Sequence, residues 1–192
     1  METFIEWWRC TDRGLFLMLN GDGGHFADTF FWTFSSVSIW IPLYLFLVLV
    51  LCRRLGWRRM LLAVALVALA VIIADQVANI FKYGVQKLRP THNPLIEGLV
   101  HTVNGYRGGL YGTVSAHAAT TTAIATFISL IYRRWWVTAA MFVWAATVSY
   151  SRLYLGVHYP ADLLFGAIDG AFWGGLAYWG FTFFGKLKEL RS

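Results

Sequence analysis

Cysteine is scarce in this 192-residue chain: only Cys10 and Cys52 occur, with no metal-ligand spacing and on what the topology below makes opposite sides of a membrane. A disulfide framework and a cysteine metal centre are thereby excluded. Charge is scarce as well, since Asp, Glu, Lys and Arg make up 14% of residues against 58% hydrophobic. So little charge cannot coat a soluble domain, and uncharged runs of near-spanning length place the chain in a bilayer. Ser/Pro-rich linkers, low-complexity tracts and internal repeats are also missing, so residues 1–192 read as one domain. The net charge of +6 is scattered through short loops, with no basic stripe, which argues against nucleic-acid binding. The opening Met1-Glu2-Thr3-Phe4-Ile5-Glu6 lacks the basic region and clean apolar core of a cleaved signal peptide, so insertion is expected from later spans.

What is present is a set of apolar segments: Thr29–Cys52, Met60–Phe81, Ala118–Tyr132, Trp135–Ser151 and Leu163–Gly185. They predict an all-α bundle of about five transmembrane helices. The first holds Ser35, Ser36 and Ser38 ahead of Pro42 and is expected to break into an interfacial piece and a shorter crossing helix. Residues 3–19 suit an amphipathic helix on the membrane surface, within an N-terminal segment 1–27 that precedes a core of 28–185 and a tail of 186–192. Most tryptophans fall near span ends, as an interfacial belt does.

Short basic loops stay in the cytoplasm. Arg53, Arg54, Arg58 and Arg59 fill one such loop, Arg133 and Arg134 another, and Lys186, Lys188 and Arg191 the tail, so nine of the 16 cations share one face. The opposite, outer face then receives residues 82–117 and 152–162.

Three clusters lie on that outer face: Lys82 with Arg89-Pro90, Ser115-Ala116-His117, and Ser151-Arg152 with His158 and Asp162. The spacing of the last group, at about 5% background per residue, arises by accident roughly once per thousand chains. Phosphoryl transfer is catalysed by positioning and by stabilising charge on oxygen. Lys82, Arg89 and Arg152 can supply that charge, while Ser115 and the Ala116 N–H stand at a helix start, where anions bind. Asp162 follows His158 by four residues, with Pro160 suited to open a helix between them, so the carboxylate can fix the imidazole tautomer.

These motifs resemble the type 2 phosphatidic acid phosphatase superfamily, whose fold is shared with vanadium haloperoxidases. The resemblance runs from about Asp28 to Gly185; the third motif is complete, and the second departs from Pro-Ser-Gly-His by Val114 and Ala116. It implies that His158 attacks phosphorus to give a phosphohistidine, that Asp162 orients it, and that His117 protonates the leaving group and later activates water. No metal or cofactor is required by that scheme. The implied substrate is an external lipid phosphate in a bacterial envelope: undecaprenyl diphosphate first, then phosphatidylglycerol phosphate or the phosphates of lipid A. Phosphotransfer to another lipid, a vanadate enzyme and a non-catalytic lipid-phosphate binder are the alternatives. Oligomeric state is not legible.

Asp75, Asn79 and Lys82 share a helix face; interhelical hydrogen bonds to Thr120, Thr121 or Ser149 are the expected satisfaction of Asp75, and support of Lys82 or a wet pocket floor is the functional alternative, in which Asp75→Asn lowers activity. Lys87 has no motif role and is read as a bystander. The glycine-containing stretch Thr91–Ala116 reads as a cover over the phosphate site or as a passive linker.

Overall fold

The computed structural model describes residues 2–189; Met1 and residues 190–192, and the side chains of the expected tail 186–192, lie outside the described residues. The chain folds into helices α1 (Glu2–Leu19), α2 (Gly24–Ser35), α3 (Ile41–Leu55), α4 (Trp57–Val85), α5 (Ala116–Tyr132), α6 (Trp135–Tyr154) and α7 (Pro160–Glu189). Among the described residues no strand forms, and a single antiparallel bridge joins Leu88 to Tyr111. The expected break in the first apolar segment falls at Ser36, whose extended backbone ends α2 before a 3₁₀ turn, Val37–Trp40, leads into α3.

Two stretches, Val37–Leu55 and Trp57–Val85, are long and apolar enough by length and composition to cross a bilayer. Outward-facing Leu45 and Ile80 are 66% and 70% exposed, and Ile72, Phe172 and Trp179 continue the same surface. Apolar exposure on this scale fits lipid rather than water as the surrounding solvent.

α5 is the central helix, packed against α4, α6 and α7. Its inward residues are small: Ala118, Ala119, Ala123 and Ala125 have no exposed surface. Facing them on α7 are Gly166, Gly170 and Gly174, one per turn. A Cβ built on Gly170 would stand 2.1 Å from the Ala119 carbonyl oxygen, and one on Gly166 2.5 Å from that of Ser115. The two backbones are therefore in contact, the close approach that lets helices associate without a hydrophobic drive. This seam fixes the starts of α5 and α7 side by side.

Asp75 is satisfied within its own helix, accepting from Asn79 Nδ2 at 3.0 Å and Gln76 Nε2 at 3.2 Å. The expected interhelical bonds do not form, because Thr120, Thr121 and Ser149 each donate to a carbonyl one turn back in their own helix.

The N-terminal segment is seated by Asn20, buried at 3% exposure. Its amide nitrogen reaches the carbonyls of His101, Leu153 and Tyr154, and its oxygen accepts from His101 N. The Tyr154 carbonyl is an otherwise free end of α6, so Asn20 also caps that helix. Nearby, Asp28 Oδ1 accepts from Tyr154 at 2.7 Å and lies 2.9 Å from His101 Nε2, which gives His101 a structural role.

Candidate active site

Lys82 apart, the three sequence clusters meet at one end of the bundle. Gly156, at φ +75°, ends α6 in the left-handed conformation that only glycine adopts freely, and the chain turns through His158 into Pro160 at the start of α7. Asp162 lies in the first turn of α7. Its Oδ2 accepts from Tyr159 N at 3.0 Å, the reciprocal half of a capping box, and lies 3.3 Å from His158 Nδ1. His158 and Asp162 are 4% and 1% exposed. With Nδ1 engaged by the carboxylate, Nε2 is the nitrogen available for attack. Burial, partly offset by Asp162, lowers the His158 pKa from 6.5 to about 4, so the ring is neutral at physiological pH.

Ser115 is the N-cap of α5, its hydroxyl accepting from Ala118 N at 3.4 Å, and its own N–H donates to the Asp162 carbonyl at 3.0 Å. That second bond ties the start of α5 to the start of α7. Ala116 is the first residue of α5 and is absent from the positive-φ positions, so the methyl that replaces the family's glycine meets no backbone strain. His117 stands in the same turn, within electrostatic reach of Arg152, His158 and Arg89.

Arg152, in the last turn of α6, is 6% exposed; it donates to Ser35 Oγ through Nη1 and to the Tyr106 hydroxyl at 3.0 Å through Nη2. Its Nε is buried and has no partner among the described residues. Arg89 is 7% exposed, donating to the carbonyls of Tyr111 at 2.9 Å and Val157 at 3.2 Å. Burial first, and the Arg152 guanidinium second, weaken its hold on its proton. Two buried guanidiniums that repel each other make a site for an anion.

The glycine-containing stretch is part of this construction. Segment 87–89 pairs with 110–112 through Arg89 N to Leu110 O and Gly112 N to Lys87 O. A Cβ on Gly112 would lie 2.9 Å from Arg89 Cγ and 3.4 Å from His158 Cε1, and one on Gly108 3.0 Å from Arg89 Nη1. The two glycines leave room for Arg89 to reach the histidine, so a passive linker is not what Thr91–Ala116 forms. The hydroxyl of Thr113 is buried there without a partner among the described residues.

Lys82 is placed differently from the other motif cations. It sits in the last turn of α4, its ammonium 5.4 Å from the centre of the Tyr83 ring, with no hydrogen bond or ion pair recorded among the described residues. Lys87, without a motif role in the sequence, instead reaches Asp162 Oδ1 at 2.9 Å and Asp12 Oδ2 at 3.0 Å. The signal for Lys87 was its offset of two from Arg89, which on an extended segment turns both side chains to one side. For Asp12 it was the one-turn offset from Phe16, which shares its inward face. Ser35 and Tyr106 carried no sequence signal of their own.

A family model described as the PAP2 superfamily matches residues 59–186. The chain belongs to that superfamily. A lipid A 4'-phosphatase of Bacteroides thetaiotaomicron is 41% identical over 177 residues, covering 91% of this chain and 78% of the relative. A lipid A 4'-phosphatase of Porphyromonas gingivalis is 35% identical over 179 residues, covering 93% and 74%. Crystal structures of Aquifex aeolicus LpxE (TM-score 0.63, 23% identity, 85% of this chain and 92% of that one) and of a PAP2-type phosphatidylglycerolphosphate phosphatase from Bacillus subtilis (TM-score 0.65, 18%, 93% and 86%) share its fold. The protein is thus a phosphatase of membrane lipids.

Proposed function

We propose that the protein removes the 4'-phosphate of lipid A, or of a closely similar lipid, through a phosphohistidine on His158. The observation that carries the chemistry is the pair of buried, mutually repelling guanidiniums beside a neutral histidine whose far nitrogen is held by a carboxylate. The lipid comes from the two relatives, which match more than nine-tenths of the chain and favour lipid A over undecaprenyl diphosphate.

Arg89, Arg152 and the free Ala116 N–H at the start of α5 bind the phosphate oxygens, the Ser115 N–H being taken by the Asp162 carbonyl. His158 Nε2 attacks phosphorus as the bond to the sugar oxygen breaks, and His117, held neutral by burial and Arg152 without substrate (pKa about 3), takes up a proton beside the bound phosphate anion and gives it to that oxygen. Water, deprotonated by His117, then cleaves the P–N bond and restores His158. Asp162 keeps the proton on Nδ1 throughout. In this reading the five apolar helical regions cross the inner membrane with the site on the periplasmic face and the C-terminus in the cytoplasm, which the placing of the basic loops supports.

The test is phosphate release by purified, detergent-solubilised protein from lipid A, undecaprenyl diphosphate and phosphatidylglycerol phosphate, with mass spectrometry locating the phosphate lost. Preferential loss from the 4' position supports the reading; faster turnover of undecaprenyl diphosphate overturns the choice of lipid.

A further inference from the structure

α1 turns Phe4, Trp7 and Met18 outward, yet sends the charged Asp12 inward to 7% exposure. Both carboxylate oxygens are used there. Oδ1 accepts from Ala161 N at 2.9 Å, one of the free N–H groups in the first turn of α7, and Oδ2 receives Lys87 Nζ at 3.0 Å. Lys87 passes the contact on to Asp162 Oδ1 at 2.9 Å, while Asp162 Oδ2 faces His158 Nδ1. Asp12, Lys87, Asp162 and His158 therefore form one continuous chain of ionisable groups from the N-terminal helix to the reacting imidazole.

Docking of α1 does not by itself call for this chain. Phe16, fully buried with its ring centre 5.5 Å from that of Tyr159, and the four bonds of Asn20 already seat the segment. A buried carboxylate is costly unless paired, and this one is paired with a lysine that also touches Asp162. The Lys87 ammonium, 4.2 Å from the centre of the Tyr159 ring, has little freedom to swing away, and burial is outweighed by its two carboxylates, which raise its pKa and keep it charged.

We propose that Asp12 and Lys87 are positioning residues, which hold the Asp162 carboxylate, and through it His158, in the orientation for attack. The inference rests on His158 being the nucleophile. It also has a signed electrostatic consequence. Lys87 between two carboxylates leaves one net negative charge behind His158; neutralising Asp12 leaves none, and neutralising Lys87 leaves two. The other groups facing His158 are Arg89 from the loop, Arg152 from α6 and His117 from α5, and these stay unaltered.

The experiment uses full-length protein in micelles, with ¹⁵N-labelled histidine NMR to follow the His158 ring, assigned by its loss in His158→Gln, alongside kcat and KM for lipid A. Asp12→Asn and Lys87→Met each lower kcat roughly tenfold or more with KM little changed, since a misaimed group slows chemistry rather than binding. The His158 titration midpoint falls in Asp12→Asn and rises in Lys87→Met, by about one pH unit, and the double variant returns towards the parent. Asp12→Glu recovers part of kcat. Met18→Ala, at an exposed position of α1, leaves kcat and the midpoint in place. Midpoints that stay fixed or move in the same direction, or a kcat unchanged in both single variants, overturn the inference. Full turnover by His158→Ala would instead sink the nucleophile assignment beneath it. Should Asp12→Asn fail to fold, Lys87→Met with Lys87→Arg as its conservative partner decides the matter by the same two readouts.

Discussion

The α5–α7 seam and the polar rim at its end are built from opposite materials. In the seam, glycine and alanine bring two backbones into contact, with Gly170 against the Ala119 carbonyl and almost no side chain between them. At the rim, Arg89, Arg152, Asp162 and Asp12 are all nearly buried, and each is held by two or more named partners. The seam tolerates no added atom, whereas the rim tolerates no lost or misplaced charge. Lipid gives helices no hydrophobic reason to associate, so shape must hold the seam. A rim that binds an anion in a low-dielectric setting, as proposed above, needs cations oriented before the substrate arrives.

Gly170→Leu should break the seam outright, because a side chain cannot occupy a position where even a Cβ lies 2.1 Å from a carbonyl oxygen. Loss of monodisperse protein in size-exclusion chromatography is the expected result; a well-folded, active variant would show that the helices separate freely. His158→Ala should leave the fold intact but reduce turnover at least about a thousandfold, as loss of a nucleophile does. Trapping of radiolabelled phosphate on the parent protein, absent in the variant, checks it.

Gly112→Val sharpens the comparison, since it places seam-like crowding at the rim. Its side chain would push Arg89 away from His158, and kcat/KM should drop by about a hundredfold with little change in melting temperature.

A smaller effect follows from the lowered pKa of His158. The folded protein binds this proton less readily than the unfolded chain, so the associated stability is complete above pH 6.5 and is lost as pH falls towards about 4. Melting temperature should therefore fall more between pH 7 and pH 4.5 in the parent than in His158→Gln; equal falls would place the cause elsewhere. Asp75→Asn should do least. Among the described residues its carboxylate bonds only to Gln76 and Asn79 in its own helix, so turnover within about twofold of the parent is expected, as for changes remote from a site.

Much of the architecture was legible in composition and spacing. Uncharged runs marked α4 to α7 to within a few residues, and the serines before Pro42 marked the break at Ser36. The motif residues Arg89, Ser115, Arg152, His158 and Asp162 stood out because phosphate chemistry restricts which side chains can serve. Lys87 and Asp12 did not, since a lysine in a loop and an acid on a surface helix are ordinary until something shows where they point. Tyr106 was similarly hidden in a long irregular stretch.

The order of apolar and basic segments, together with the kinds of side chain at fixed offsets, was set by sequence alone, because hydropathy and residue chemistry are local properties. Which cation faces which carboxylate was settled by the tertiary structure. Asp12 lies 75 positions before Lys87 and 150 before Asp162 along the chain, and only the packing of α1 against the start of α7 brings all three within hydrogen-bond reach.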